Sequence, residues 1–183
     1  MSKTTFELVR DWAEARNLIA GATPQAQFTK LIEEISEFTR GIDEDNADEI
    51  YDGLGDSIVV MTVLAAQHGL GLEECIAVLD EFMDDANARG GLLCKTQSVD
   101  NLLHSLFNEV GSLATGISKK NLTLVKTGLG GAYRIVEAIA ARFDATAEDV
   151  FAASYNVIKD RKGRMIDGVF VKEADLPTYG IAS

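Results

Sequence analysis

The side chains best placed to do chemistry in this chain are carboxylates. Glu33-Glu34-Ile35-Ser36-Glu37 sets acids at i, i+1 and i+4 of a helical pattern, so Glu33 and Glu37 lie one turn apart and Glu34 is three residues from Glu37. Like charges at these spacings repel, and Lys30 is the only lysine one turn away. A hard divalent cation accounts for such clustering, because Mg²⁺ is held through carboxylate oxygens and the phosphates of a substrate. Glu49, Asp52 and Asp56 follow at i, i+3 and i+7, again one stripe of a helix. Asp56 is the sharpest signal. Ser57 and then Ile58-Val59-Val60-Met61 follow it, so it stands at the edge of a strongly apolar helix, where a carboxylate is costly unless paired or metal-bound. Gly53 and Gly55 precede it, each costing about 1 kcal/mol of helix stability relative to alanine. Small residues there let another helix, or a ligand, come close. Glu44, Asp45 and Asp48 read as ordinary solvated acids.

A second constellation is basic. Asn156-Val-Ile-Lys159-Asp-Arg161-Lys162-Gly-Arg164 gathers four cations in a chain whose net charge is −12. Cations at a helix end complement the helix dipole; they also suit an anionic partner such as a polyphosphate. The net charge argues against a nucleic-acid binder, which needs a basic face. A nucleotide escorted by divalent cations stays compatible with it. With 46% hydrophobic residues the chain can bury a sizeable core. Cys75 and Cys94 are too few for a disulfide framework. The N-terminus lacks a signal-peptide core and no apolar run is long enough to span a bilayer, so a cytoplasmic protein without a membrane partner is expected. A di-iron bundle would use Glu-x-x-His pairs, and neither His68 nor His104 has a Glu three residues before it. Ser/His or Cys/His nucleophilic chemistry has no local support.

The elements that must position these residues are helices. Only Pro24 and Pro177 interrupt the helical apolar spacing. The pattern predicts a first helix around Phe6, Val9, Trp12 and Ala13. A second is opened by Thr23 and Pro24 and ends near Arg40, with Gly41 as its cap. A third runs from about Ala47 to His68 and a fourth from Leu72 to Ala88, before Gly90-Gly91. A fifth opens at Ser98 or Asp100 and ends before Gly116, a sixth runs from Leu122 to Phe143, and a seventh runs from Thr146 to near Gly163. The tail from Met165 reads as short, irregular or extended.

Gly53-Leu54-Gly55 recurs as Gly128-Leu129-Gly130, an offset of 75 residues. Carried outward without a gap, that offset pairs 31–91 with 106–166, and fourteen of the sixty-one pairs are identical, among them Glu34/Glu109, Gly41/Gly116 and Asn46/Asn121. The chain thus divides at about residue 94 into two copies of one helical unit, 1–94 and 95–183, sharing a core. The second copy keeps the apolar frame and loses the acids: Asn108, Ser112, Thr127 and Gly131 stand where Glu33, Glu37, Asp52 and Asp56 stand in the first. The basic run is reversed in the same way, because its first-copy counterpart, residues 81–89, is mostly acidic or neutral. One composite site is expected, with acids from one copy and cations from the other.

These residues resemble the all-α nucleoside triphosphate pyrophosphohydrolase superfamily, which includes MazG-like proteins, dimeric dUTPases and phosphoribosyl-ATP pyrophosphohydrolases. Trp12, Gln27, Lys30-Leu31 and Glu33-Glu34-x-x-Glu37 are similar to its first motif. Gly53-Leu54-Gly55-Asp56 with the apolar run is similar to its second, and Asn156-x-x-Lys159-x-Arg161 to a C-terminal element that contacts phosphates or base. Gly53 departs from the pattern, standing where the family has a Glu, and either Asp52 or Glu49 could supply that ligand. The resemblance implies an all-α fold of tandem four-helix-type bundles forming an intrachain pseudo-dimer, with a further homodimer left open. It implies Mg²⁺, or Mn²⁺ in its place, held by Glu33, Glu34, Glu37, Asp52 and Asp56, with Glu34 or Glu37 as the base. It implies a nucleoside triphosphate contacted by Trp12, Gln27, Lys30, Asn156, Lys159, Arg161 and Lys162, cut to monophosphate and pyrophosphate in nucleotide-pool housekeeping. The competing expectation is an inert nucleotide-binding or protein-interaction bundle on the same fold.

Overall fold

The computed structural model describes residues 2–87 and 97–180. Eight α-helices carry the described chain: α1 (Thr5–Ala15), α2 (Leu18–Gly21), α3 (Pro24–Asp43), α4 (Ala47–Gln67), α5 (Leu72–Asn87), α6 (Val99–Lys119), α7 (Leu122–Ala140) and α8 (Ala147–Ile158). Short 3₁₀ turns cover Ala141–Phe143 and Glu173–Tyr179. The all-α expectation holds apart from one small hairpin, β1 (Gly163–Ile166) with β2 (Val169–Lys172). The helices start where side chains can accept from free N–H groups: Thr23 for α3, Asn46 for α4, Ser98 for α6, Asn121 for α7 and Thr146 for α8. Ser98, not Asp100, opens α6. Gly90-Gly91 and Cys94 lie outside the described residues. Among those described, no helix is long and apolar enough to cross a membrane.

The repeated segments fold alike in detail. α3 with α4 and α6 with α7 form two helical hairpins. At their turns Asp45 and Lys120, 75 residues apart, both take left-handed backbone, with φ of 53° and 52°. The next residue caps the second helix in each, Asn46 accepting from Glu49 N–H and Asn121 from Leu124 N–H. Gly41 and Gly116 correct the expected helix ends: both lie inside their helices, which run on to Asp43 and Lys119. They are glycine because the returning helix passes close. A Cβ at Gly41 would lie 2.9 Å from the Ile50 nitrogen, and one at Gly116 would lie 2.7 Å from the Val125 nitrogen.

The third helix of each segment packs on the other segment's hairpin, α5 on α7 and α8 on α4. The Gly-Leu-Gly elements make this possible. A Cβ on Gly55 would fall inside the Val150 carbonyl oxygen, and one on Gly130 inside the Cys75 carbonyl oxygen. Val150 and Cys75 are themselves 75 residues apart. Since backbone cannot yield as a side-chain tip does, Gly55→Ala and Gly130→Ala should each lower unfolding free energy by about 1–3 kcal/mol, the usual cost of overpacking. Urea denaturation checks this.

A main core runs through α1 and α3 to α8. A satellite cluster of Ala13, Leu18 and Val63 is covered by Trp12, Ile19, Met165 and Phe170, which docks the hairpin on α1, α2 and α4. The tail is therefore more ordered than the sequence suggests. Asp167 and Gly168 both have positive φ, 48° and 82°, as tight two-residue hairpin turns require. Buried Val171 and Leu176, and the Glu173 N–H donated to Lys162 O at 3.0 Å, hold the tail down.

Candidate functional site

A cavity of about 470 Å³ opens between α1, α3, α4, the end of α8 and the hairpin. That volume lies within the roughly 300–1,000 Å³ of small-molecule pockets. Seven of the expected site residues line it: Trp12, Gln27, Lys30, Glu33, Glu34, Asp56 and Arg161. Gly53 fixes the level of the two antiparallel helices, because a Cβ there would meet Phe38 N and Glu34 O. Each turn back along α3 from Glu34, through Lys30 to Gln27, is therefore matched by a turn forward along α4, from Asp56 toward Val60 and Val63. The cavity is charged at one end and apolar at the other, where the valines meet Trp12, Leu18 and Phe170.

At the charged end Glu34 is only 3% exposed. Lys30 Nζ lies 2.7 Å from Glu34 Oε1 and 3.0 Å from Glu33 Oε2. Burial pushes the Glu34 carboxyl up to about 7, against the pull of Lys30 and with the help of Asp56 and Glu37. Burial alone would lower Lys30, but its hydrogen bonds to Glu34 and Glu33 outweigh that and push it up to about 12. Half-buried Asp56 is also raised by burial, and Asp52 adds to this. A hydrogen bond to Ser154 and the charges of Arg161 and Lys30 oppose it. Glu37 and Asp52 are not in the cavity wall but lie within electrostatic reach of Glu34 and Asp56 respectively. Glu49 is ion-paired with Arg40, whereas Asp52 acts on the Asp56 carboxyl. Among the described residues no group of three or more acids, histidines or cysteines is gathered as a ready metal site. The donor chemistry still fits Mg²⁺: hard oxygens, two of them withdrawn from water with raised pKa, although the Lys30 ammonium now on Glu33 and Glu34 would have to give way to the ion.

This arrangement gives stability a pH dependence. The folded pKa of Glu34 lies above its ordinary value, so between about 4.5 and 7 the native state binds more protons than the unfolded chain. Stability of the metal-free protein should therefore fall as pH rises through that window, and Asp56 and Glu109 act in the same direction. Glu34→Gln should flatten the slope, as thermal denaturation in EDTA between pH 5 and 8 would measure.

The second segment has no such end. Where Asp56 would stand is Gly131, and a Cβ there would lie 2.6 Å from the Glu109 carboxylate, so Glu109 folds over the glycine. Burial raises its carboxyl too. Ser112 and Thr127 hydroxyls donate back to their own helices, to Asn108 O at 3.1 Å and Thr123 O at 3.0 Å.

Of the four cations in the basic run, only Arg161 lines the cavity. α8 stops at Ile158, short of the expected end near Gly163, so Lys159, Arg161 and Lys162 sit on the connection to β1 and Arg164 lies within β1. Exposed Lys159 donates to Asn156 Oδ1 at 3.0 Å, and Lys162 is exposed outside the wall. The first-copy counterpart at 81–89 falls where side chains are not described. Trp12 Nε1–H donates to Ile158 O at 2.8 Å and Arg16 Nε to Arg161 O at 2.8 Å, pinning this connection to α1. Sequence reasoning missed Arg16, Phe170 and Lys172. The Asp167-Gly168 pair was the available signal for the hairpin that carries the last two.

No family model matches the chain, and no solved structure matches it. A protein of Haemophilus phage HP1 (strain HP1c1), described as an uncharacterized 18.2 kDa protein in the rep-hol intergenic region, is 47% identical over 60 residues. The match covers 33% of this chain and 37% of that protein, so the chain spans little more than a third of its relative's length.

Proposed function

We propose that this chain is a Mg²⁺-dependent nucleoside triphosphate pyrophosphohydrolase of the MazG-like kind, its two repeated units paired as an intrachain pseudo-dimer. The observation that carries the reading is the polarity of one cavity. Glu34 and Asp56, carboxylates raised by burial with Lys30 and Arg161 beside them, stand at one end, and an apolar chamber backed by Trp12 lies at the other. Of the two acids that qualify as general base, Glu34 lines the cavity and Glu37 does not. Burial holds Glu34 near neutrality, where a base works best. The metal then falls to Asp56 and Glu33 in the cavity wall, with Asp52 and Glu37 within electrostatic reach of it, and when bound it would offset phosphate charge and acidify the attacking water. Arg161, brought from the other unit, holds phosphate charge beside Asp56.

A second reading, an inert nucleotide-binding bundle, draws on Lys30, whose ammonium already neutralises Glu33 and Glu34. Common NTPs and dNTPs, assayed with Mg²⁺ for pyrophosphate, separate the two. Release that stops in EDTA is expected, and nucleotide binding without release would favour the inert bundle. Arg161→Ala should raise KM roughly tenfold, taking a charged hydrogen bond at about 1.5–3 kcal/mol. Lys159→Ala, at a residue engaged with Asn156 outside the cavity, should change it less than about twofold.

A further inference from the structure

The hairpin closes the cavity with Gly168, Val169, Phe170 and Lys172, yet the acid and basic constellations account for none of these residues. We propose that β1–β2 is the nucleoside-recognition wall, with the Phe170 ring as the surface on which the aromatic base lies and Lys172 as the cation beside it. The inference rests on the nucleotide reading and adds to it the element that selects the nucleoside end.

Three observations carry it. First, Phe170 is held in place. Its ring meets Trp12 edge-on, with centroids 6.5 Å apart and planes at 63°, and the Trp12 N–H is fixed on Ile158 O. Second, covering the satellite cluster needs only Met165 and Phe170. It does not explain why Val169, an apolar residue 51% exposed at the hairpin turn, and the exposed Lys172 also line the cavity. Phe170 and Lys172 share a strand face by alternation, so ring and cation are presented together. Third, three backbone acceptors at this end are engaged. Leu18 O and Ala22 O take the Gln67 amide at 2.9 and 3.4 Å, and Ile158 O takes Trp12. A base therefore meets an aromatic face more than a set of hydrogen-bonding edges. Stacking tolerates sequence because every base has a π-face, so purine and pyrimidine triphosphates should bind within about tenfold of one another.

The test is calorimetric, on the full chain with Mg²⁺, using α,β-imido analogues of ATP and CTP and inorganic tripolyphosphate. Phe170→Leu keeps apolar bulk and loses the aromatic face. It should weaken both nucleotides roughly tenfold, the scale for removing a stacking aromatic, and leave tripolyphosphate within about twofold. Val169→Ser, at an exposed position outside the core, should weaken the nucleotides severalfold and decides the matter if Phe170→Leu does not fold. Unchanged nucleotide binding in a folded variant, or equal weakening of tripolyphosphate, would overturn the wall. Wild-type binding of tripolyphosphate as tight as that of the nucleotides would also overturn it while leaving the phosphate site standing. Binding of none of the three would bring down the nucleotide reading and this inference together.

Discussion

Asp56→Asn is expected to cut pyrophosphate release by about 10²–10³-fold, the scale for removing one electrostatic group from a reacting centre, while the melting temperature holds or rises. The two halves of that expectation have one cause. Asp56 sits where α4 turns from polar to apolar, with Ser57 and Ile58 fully buried behind it. Burial raises its carboxyl, so the fold disfavours its charged form. Asparagine keeps the shape, and its amide oxygen can keep the hydrogen bond to Ser154. It removes the charge that the fold pays to hold. A group kept against the interest of stability has its use elsewhere, and on the proposed reading that use is as a metal ligand. Pyrophosphate release and thermal unfolding in EDTA, measured on the same preparation, check both halves. Lost stability with retained turnover would make Asp56 a structural carboxylate and remove the metal from this end of the cavity.

Much of this was legible in the sequence, for physical reasons that differ from residue to residue. Asn46 and Asn121 announce helix starts because a cap needs only its own side chain and the next turn. Glu34 stands out because it is crowded by Glu33 and Glu37, and Asp56 because a carboxylate at the edge of an apolar helix is costly, and both line the cavity. Gly41 misled: glycine after a helical run reads as a cap, whereas here it admits Ile50 from another helix, a contact that no local pattern encodes. The basic run misled for a related reason. Composition counts Lys159, Arg161 and Lys162 alike, but where α8 unwinds decides which enters the cavity, and only Arg161 does. Glu49 and Asp52 were equivalent by spacing until Arg40, nine residues before Glu49 on the facing helix, took Glu49. Phe170 was invisible because its role depends on a hairpin folding back over a hundred and fifty residues of chain onto Trp12.

Glu34 and its counterpart Glu109 give the largest expected contrast between two substitutions of one kind. Both are glutamates at the same place in the repeat, and burial raises the carboxyl of both. Glu34→Gln should lower turnover by about 10²–10³-fold, the lower part of the range for losing a general base. Glu109→Gln should leave turnover within about twofold. The difference lies in what each carboxylate faces. Glu34 opens on a cavity, with Asp56 across the helix pair and Lys30 beside it. Glu109 lies over Gly131, its neighbours Asn108, Ser112 and Thr127 carry no charge, and the hydroxyls of the last two are turned back to their own helices. A charge folded into that gap has no cation to hold, so neutralising it should preserve or raise stability. The same asymmetry sets stoichiometry. Titration with an imido nucleotide and Mg²⁺ should saturate at one per chain, and that single site should vanish in Asp56→Asn and persist in Glu109→Gln. Two equivalent sites, or equal loss of turnover from both glutamines, would mean that the second segment also binds. Converting Gly131 to aspartate should not by itself create a second site, because Asn108, Ser112 and Thr127 would still stand where the first segment has Glu33, Glu37 and Asp52.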